Sequence, residues 1–290
     1  MKTLHYLTGP ESDLFWPAIA AGAAVALVCG VLSVFVVLRR LAFIGHGVSH
    51  AAFGGVGLAV VLGLTASGTA HTLAYLAVVG GFCLIAALSI AVVSAQTRLR
   101  EDTVIGVTLV GSMALGALLL QLHARRGGSG AGATLESTLF GSILSVRPAD
   151  ALAAWVVALT VGAVLLVYRR PLVFWAFDET AAEAFGVNAL RTRLLLMALL
   201  GIAIVASMKL AGVLLATALL ILPGAIALRL SQRLATVFVL AAASSITGVL
   251  GGLMLSFEAD WPPGPSVVVV LVALMLASAA VGFVRGRSPG

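Results

Sequence analysis

The sequence predicts an all-α protein, a polytopic bundle of eight to nine transmembrane helices with one short helix on the cytoplasmic side. Three observations carry this prediction. Hydrophobic residues make up 61% of the 290 and charged residues 10%, whereas a soluble domain uses roughly 25% charged residues to cover its surface. Apolar runs recur along the whole chain, each long enough to cross a hydrocarbon core of about 30 Å as a helix. Glycine is abundant, at 32 residues, and small residues are what let helix backbones approach closely inside a membrane.

The runs fall near 14–38, 41–64, 71–95, 104–122, 150–168, 192–208, 211–228, 235–256 and 266–284. The stretch 192–228 reads either as two spans or as one broken unit, so the count is eight or nine. Residues 1–290 form a single transmembrane domain. Its first part, 1–13, holds Lys2 against Glu11 and Asp13 and lacks the basic start of a signal peptide, so it is expected to remain on the chain as an extracytoplasmic segment.

Charge sets the orientation. Taking the N-terminus as outside and alternating the runs puts Arg39, Arg40, Arg98, Arg100, Arg169, Arg170, Arg191, Arg193, Arg229, Arg233, Arg285 and Arg287 inside. Only Lys2, Arg125, Arg126, Arg147 and Lys209 remain outside. Cytoplasmic loops carry the Lys/Arg excess, so the expected topology is N-terminus out and C-terminus in. The same clustering explains the net charge of +6 without a nucleic-acid partner.

Two connections exceed a turn. The outer one, 123–149, begins with a flexible Gly/Ser stretch, 127–132. It continues through Leu135, Leu139, Phe140, Ile143 and Leu144 at helical spacing. An interfacial or re-entrant helix and a loop packed on the bundle are both open. The inner one, 169–193, contains Asp178-Glu179-Thr180-Ala181-Ala182-Glu183-Ala184-Phe185-Gly186. Acidic residues in the first turn and glycine at the end suit a short capped helix. Such a helix is either a handle for a partner or a solvated connector.

The residues able to bind a solute are few. His46 and His50 stand four apart just after Arg39–Arg40, in the inner half of the second span, and share one helix face. Ionisable groups inside a span are costly and are functional candidates by default. Two neutral imidazoles one turn apart suit a transition metal; two hydrogen-bonded core histidines are the plainer reading, and both stay open. His5, His71 and His123 read as interfacial residues. Glu258 and Asp260, in the outer turn before Trp261-Pro262-Pro263, are placed to draw cations to an outer vestibule. Cys29 and Cys83 lie inside apolar runs and read as small buried hydrophobes. Lys2 and Lys209 are the only lysines, so no Gly-Lys-Ser/Thr phosphate loop exists, and ATP hydrolysis would need another chain. Pro223, inside an apolar run, removes a backbone donor within the membrane, which is tolerated where protein or a cavity compensates.

Four motifs in order resemble the membrane permeases of ATP-binding-cassette importers for zinc and manganese, over about residues 14–284. Arg39-Arg40 followed by Gly45-His46 and His50-Ala51 resembles the family's Arg-Arg…Gly-Asp-x-x-x-His-Ala. Leu139-Phe140-Gly141 with Asp150 resembles its Leu-Phe-Gly segment. Asp178, Ala182 and Gly186 match its short cytoplasmic helix, and Gly212 through Leu220-Ile221-Leu222-Pro223 matches its Gly-Val-Leu-Leu…Leu-Leu-Ile-x-Pro run.

The resemblance implies a homodimer in the bacterial cytoplasmic membrane, two cytoplasmic ATP-binding subunits and an extracytoplasmic metal-binding protein. Membrane lipid is the remaining partner, and no cofactor is permanently bound. Asp178, Glu179, Ala182, Glu183 and Gly186 would form the coupling helix seated on the ATPase. His50 carries over to the ion path. His46, a softer and less negative donor, stands where the family has Asp, a replacement that favours zinc over manganese. The expected function is ATP-driven import of divalent metal by alternating access. Alternatives are a permease for metal chelates or cobalamin, a proton-coupled secondary transporter using the two histidines as a relay, or a purely structural subunit.

Overall fold

The structure is a computed structural model and describes residues 12–64, 69–97, 99–125 and 146–284. The N-terminal segment with His5, and the outer stretch from Gly127 through Leu144 with its expected interfacial helix, lie outside the described residues. Among the described residues the chain is helical throughout, with no strand. The helices are α1 (Ser12–Leu38), α2 (Ile44–Val61), α3 (Thr69–Gln96), α4 (Glu101–Arg125), α5 (Pro148–Val167), α6 (Arg169–Phe177), α7 (Glu179–Ala184), α8 (Ala189–Leu230), α9 (Leu234–Ala259) and α10 (Pro263–Val284).

Eight of them contain segments long and apolar enough to cross a membrane, and Leu214–Leu230 is a shorter apolar helix. Local chemistry fixes the starts and stops. Asp150 accepts a hydrogen bond from the Arg147 N–H (3.2 Å) with Pro148 opening α5, and Asn188 Oδ1 accepts from the Arg191 N–H (2.9 Å) to start α8. After α1 the chain turns through Arg40 in the left-handed region, where the Leu41 N–H reaches back to the Val36 carbonyl (2.8 Å).

The 42 residues of α8 would extend about 63 Å if straight, twice a bilayer core. They do not run straight. Gly212 has φ 76° and ψ 172°, a conformation open to glycine and costly to any residue with a Cβ. Before it, Arg193 lies beside the end of α1 at Arg39 and Ala203 lies beside Ala24 to Cys29, so this half runs antiparallel to α1. After it, Gly224 packs on Ser33, and α9 then starts with Phe238 against Phe35 (5.4 Å between rings). The second half therefore returns toward the end it left, and the open question over 192–228 resolves as a reversal at Gly212.

Close glycine contacts give the directions of the other spans. Gly47 meets Ile105, Gly54 meets Ser112 and Gly57 meets Gly116, a near-constant offset that only parallel helices produce, so α2 and α4 run side by side in one direction. Gly54 also meets Phe82 and Gly55 meets Val79, the descending order of an antiparallel pair with α3. These directions gather Arg39, Arg40, Arg100, Arg169, Arg170, Arg191, Arg193, Arg229 and Arg233 at one end of the bundle, with Arg125, Arg147, Glu258 and Asp260 at the other. The asymmetry read from the sequence is thus a property of the folded chain.

One substitution probes this packing directly. A Cβ on Gly116 would collide with the Phe53 carbonyl and the Gly54 backbone, neither of which can swing away. Gly116→Ala is expected to destabilise the chain by about 1–3 kcal/mol, the usual range for overpacking. Gly81→Ala, with nothing within 4 Å, should leave the melting temperature of the detergent-solubilised protein unchanged.

Candidate metal path and coupling element

The first turns of α2 carry Ile44, Gly45, Gly47, Val48 and Ser49 into the core, and His46 faces outward. His46 is therefore exposed and His50 half-buried. Their rings meet edge to face with centroids 4.3 Å apart, so the helix delivers both imidazoles to one place. His50 Nδ1 is buried and has no hydrogen-bond partner among the described residues. The neighbouring Ser49 hydroxyl is in the same state, so this turn of α2 carries two buried polar atoms without a partner among the described residues, which is unusual.

On its buried side this turn of α2 rests against α8. Gly45 packs on Thr217 and Leu220, the former five residues past the Gly212 reversal. Pro223, near this contact, lacks the N–H that would bond the Leu219 carbonyl. Among the described residues no group of three or more His, Cys, Asp or Glu side chains is gathered as a metal site. Among the described residues, this turn of α2 thus brings together two imidazoles and no third side chain of these types.

Cys29 and Cys83 are free and buried, as expected of small apolar side chains. His123 sits in the last turn of α4. Glu258 and Asp260 are exposed at the end of α9, which Asp260 closes in the left-handed conformation. They lie at the opposite end of the bundle from the arginine-rich rim. The side chains of His71 and Lys209 are not among those described.

At the arginine-rich end α7 forms as the sequence predicts. Asp178 caps it by accepting from the Ala181 N–H (2.9 Å), Ala182 is fully buried, and Gly186 ends it at φ 85°. Asp178, Glu183 and Gly186 are exposed, together with Phe185 at 81%. Glu179 turns inward instead. Its carboxylate accepts from Arg39 at 2.6 Å and from Arg193 at 2.8 Å, and both guanidiniums also approach Glu101, at 3.7 and 3.6 Å. Arg39 stacks over the fully buried Trp175 (3.9 Å to the ring centre), and Arg193 reaches Ser94 at 3.4 Å.

Two arginines and two glutamates therefore join α7 to the end of α1 and the starts of α4 and α8. The Arg side chains are only 15% and 11% exposed, so these are partly buried, charge-assisted pairs in which each Glu179 oxygen takes one arginine. Burial works to raise the Glu179 carboxyl, but the hydrogen bond from Arg39 and the charges of Arg193 and Arg39 outweigh it and hold the group below its ordinary value. The sequence reading missed this cluster and also missed α6, whose Leu172 and Trp175 anchor it in the core.

The sequence profile of the ABC 3 transport family matches residues 11–282. The chain is 34% identical over 257 residues to the manganese transport system membrane protein MntC of Halalkalibacterium halodurans, covering 89% of this chain and 83% of that one. It is 29% identical over 266 residues to the high-affinity zinc uptake system membrane protein ZnuB of Haemophilus influenzae, covering 92% and 97%. Among solved structures, PsaBC from Streptococcus pneumoniae in complex with Fab superposes with a TM-score of 0.77 at 26% identity, covering 96% of this chain and 94% of that one.

Proposed function

The chain belongs to the ABC 3 transport family, and from that premise we propose that it is the membrane permease of an ATP-driven importer of divalent transition metal, with zinc as the preferred ion. The observation that supports the ion most is the His46–His50 pair, converging on α2 with a buried, unpartnered nitrogen on His50. Imidazole nitrogen suits zinc, whereas manganese favours carboxylate and water. Relatives named for manganese and for zinc both occur, so the ion follows from the donor set of this chain.

Two imidazoles fall short of the four ligands zinc usually takes. A second copy related by a two-fold axis brings two more, and α4, beside α2, and α10 are among the spans least buried within one chain. The permease is then a homodimer whose ion path lies along the axis, with all four histidines facing it. Binding must stay weak enough for release.

ATP hydrolysis belongs to a separate subunit on the arginine-rich side, which is the cytoplasmic side by the excess of positive charge. On this reading the N-terminus lies outside and the C-terminus inside the bacterial cytoplasmic membrane. Asp178, Glu183 and Gly186, with Phe185, present the docking face of the coupling helix. Ala182 seats it in the core, and Glu179 links it through Arg39 and Glu101 to the ends of the helices that flank His46. On the far side a metal-binding protein delivers the ion to a vestibule near Glu258 and Asp260. Closure of the ATPase pair moves α7, and the charge cluster passes that displacement to α1, α4 and α8.

Proteoliposomes holding the permease and its ATPase subunit test this reading. Uptake of radiolabelled zinc is expected only with ATP and the binding protein, and faster than uptake of manganese. Uptake driven by a proton gradient without ATP would overturn it.

A further inference from the structure

We propose that the groove between α1, α5, α6 and α9 is a binding site for one anionic phospholipid, its phosphate held by Arg169 and Arg170 and an acyl chain laid along α1. The groove is a cavity of about 960 Å³ whose wall is almost wholly apolar. Leu27, Val31 and Phe35 line it from α1, Gly162 from α5, Phe174 from α6 and Phe238 from α9. From Leu27 to Phe35 it follows α1 for about 12 Å, at 1.5 Å per residue.

Only at one end does it meet charge. Arg169 and Arg170 are exposed on its rim, and neither forms an ion pair with a described residue. They contrast with Arg39 and Arg193, which lie at the same end of the bundle and are both paired with carboxylates. The two guanidiniums stand where α5 ends and α6 begins, so the helix that crosses the membrane gives way there to one of nine residues that does not. That is the depth of a lipid headgroup. Tyr168 and Phe177, both exposed, flank the arginines, as aromatic residues do at an interface.

The geometry selects the ligand class. Basic pockets between membrane helices bind anionic headgroups, and arginine grips phosphate through two parallel N–H bonds. A free phosphate ion would satisfy the arginines and leave the apolar groove to water. A zwitterionic lipid would fill the groove but bring its own cation to the arginines. A phospholipid with net negative charge satisfies both halves. This inference rests only on the chain spanning a membrane and not on the identity of its ion.

Native mass spectrometry of the purified permease–ATPase complex provides the test, with dioleoylphosphatidylglycerol, dioleoylphosphatidylcholine and inorganic phosphate as probes. Phosphatidylglycerol is expected to bind at least about tenfold more tightly than phosphatidylcholine, and phosphate alone not to bind. The double variant Arg169→Gln/Arg170→Gln should abolish that preference. Gly162→Phe should abolish retention of both lipids while the chain still folds, because a Cβ there meets nothing within 4 Å. Equal binding of the two lipids, phosphate binding by itself, or unchanged phosphatidylglycerol binding in both variants would overturn the proposal. So would dissociation of the two permease copies in Gly162→Phe, which would mark the groove as the contact between copies.

Discussion

Glu179→Ala is expected to lower the melting temperature of the purified chain and to cut ATP-driven uptake by more than tenfold. The carboxylate is the shared partner of Arg39 at 2.6 Å and Arg193 at 2.8 Å. Its removal leaves two guanidiniums, 15% and 11% exposed, with only Glu101 at 3.7 and 3.6 Å. Removing one member of a fully buried pair costs about 3–5 kcal/mol. Glu179 itself is 31% exposed, so a cost of about 2–3 kcal/mol is expected once solvent screening is allowed for.

The double variant Arg39→Ala/Glu179→Ala should lose less than the sum of the two single losses, because the second change removes a charge already stranded. Arg39→Lys should not substitute fully, since an ammonium neither stacks flat on Trp175 nor offers the planar fork. The pH dependence has a definite sign. Glu179 has a depressed pKa, so its contribution is complete above the ordinary carboxylate value of 4.5 and is lost as the pH falls through the lower folded value. The Glu179→Gln variant should lack that part of the acid-induced loss, as thermal melts across pH will read. Equal stability of wild type and Glu179→Ala at neutral pH would remove the cluster from the account.

The second large effect belongs to the imidazole pair. His50→Ala and His46→Ala should each reduce zinc uptake at least tenfold with little change in melting temperature, because His46 is exposed and His50 half-buried. In a two-fold dimer each substitution removes two ligands at once. His46→Asp should instead retain transport and shift the zinc-to-manganese rate ratio toward manganese, since carboxylate is the harder donor. Uptake assays with both radiolabelled ions, normalised to folded protein, separate these outcomes. Unchanged uptake in both alanine variants would take the histidines off the path.

Much of this was legible in the residues, and what was not has a physical reason. The spans were readable because a bilayer demands about 20 apolar residues in a row, a local and one-dimensional signal. Helix α7 was readable because its signals are also local, with Asp178 as cap and Gly186 as stop both within ten residues of chain. Helix α6 was missed because Pro171 reads as a breaker. It sits third in the helix, where its missing N–H would have been unpaired anyway. The reversal at Gly212 could be suspected but not placed, since φ 76° depends on what surrounds it.

The charge cluster was the largest omission. Arg39 and Glu179 are 140 residues apart, and no periodicity links them. Read locally, Glu179 is only an acidic residue favouring a helix N-terminus. The one available signal was that Arg39, Glu101 and Arg193 each border an apolar run, so all three were bound to gather at one end of the bundle. The histidine pair was found by its four-residue spacing. Its exposure, and the absence of a third His, Cys, Asp or Glu beside it among the described residues, needed the packing of α2 against α4 and α8.

X-ray absorption at the zinc edge of the metal-loaded permease complex tests the account most directly. A first shell of nitrogen at about 2.0–2.1 Å with imidazole scattering, weakened by His46→Ala and by His50→Ala, is the predicted result. A shell of oxygen or sulfur alone, or a spectrum identical in both variants, would contradict it.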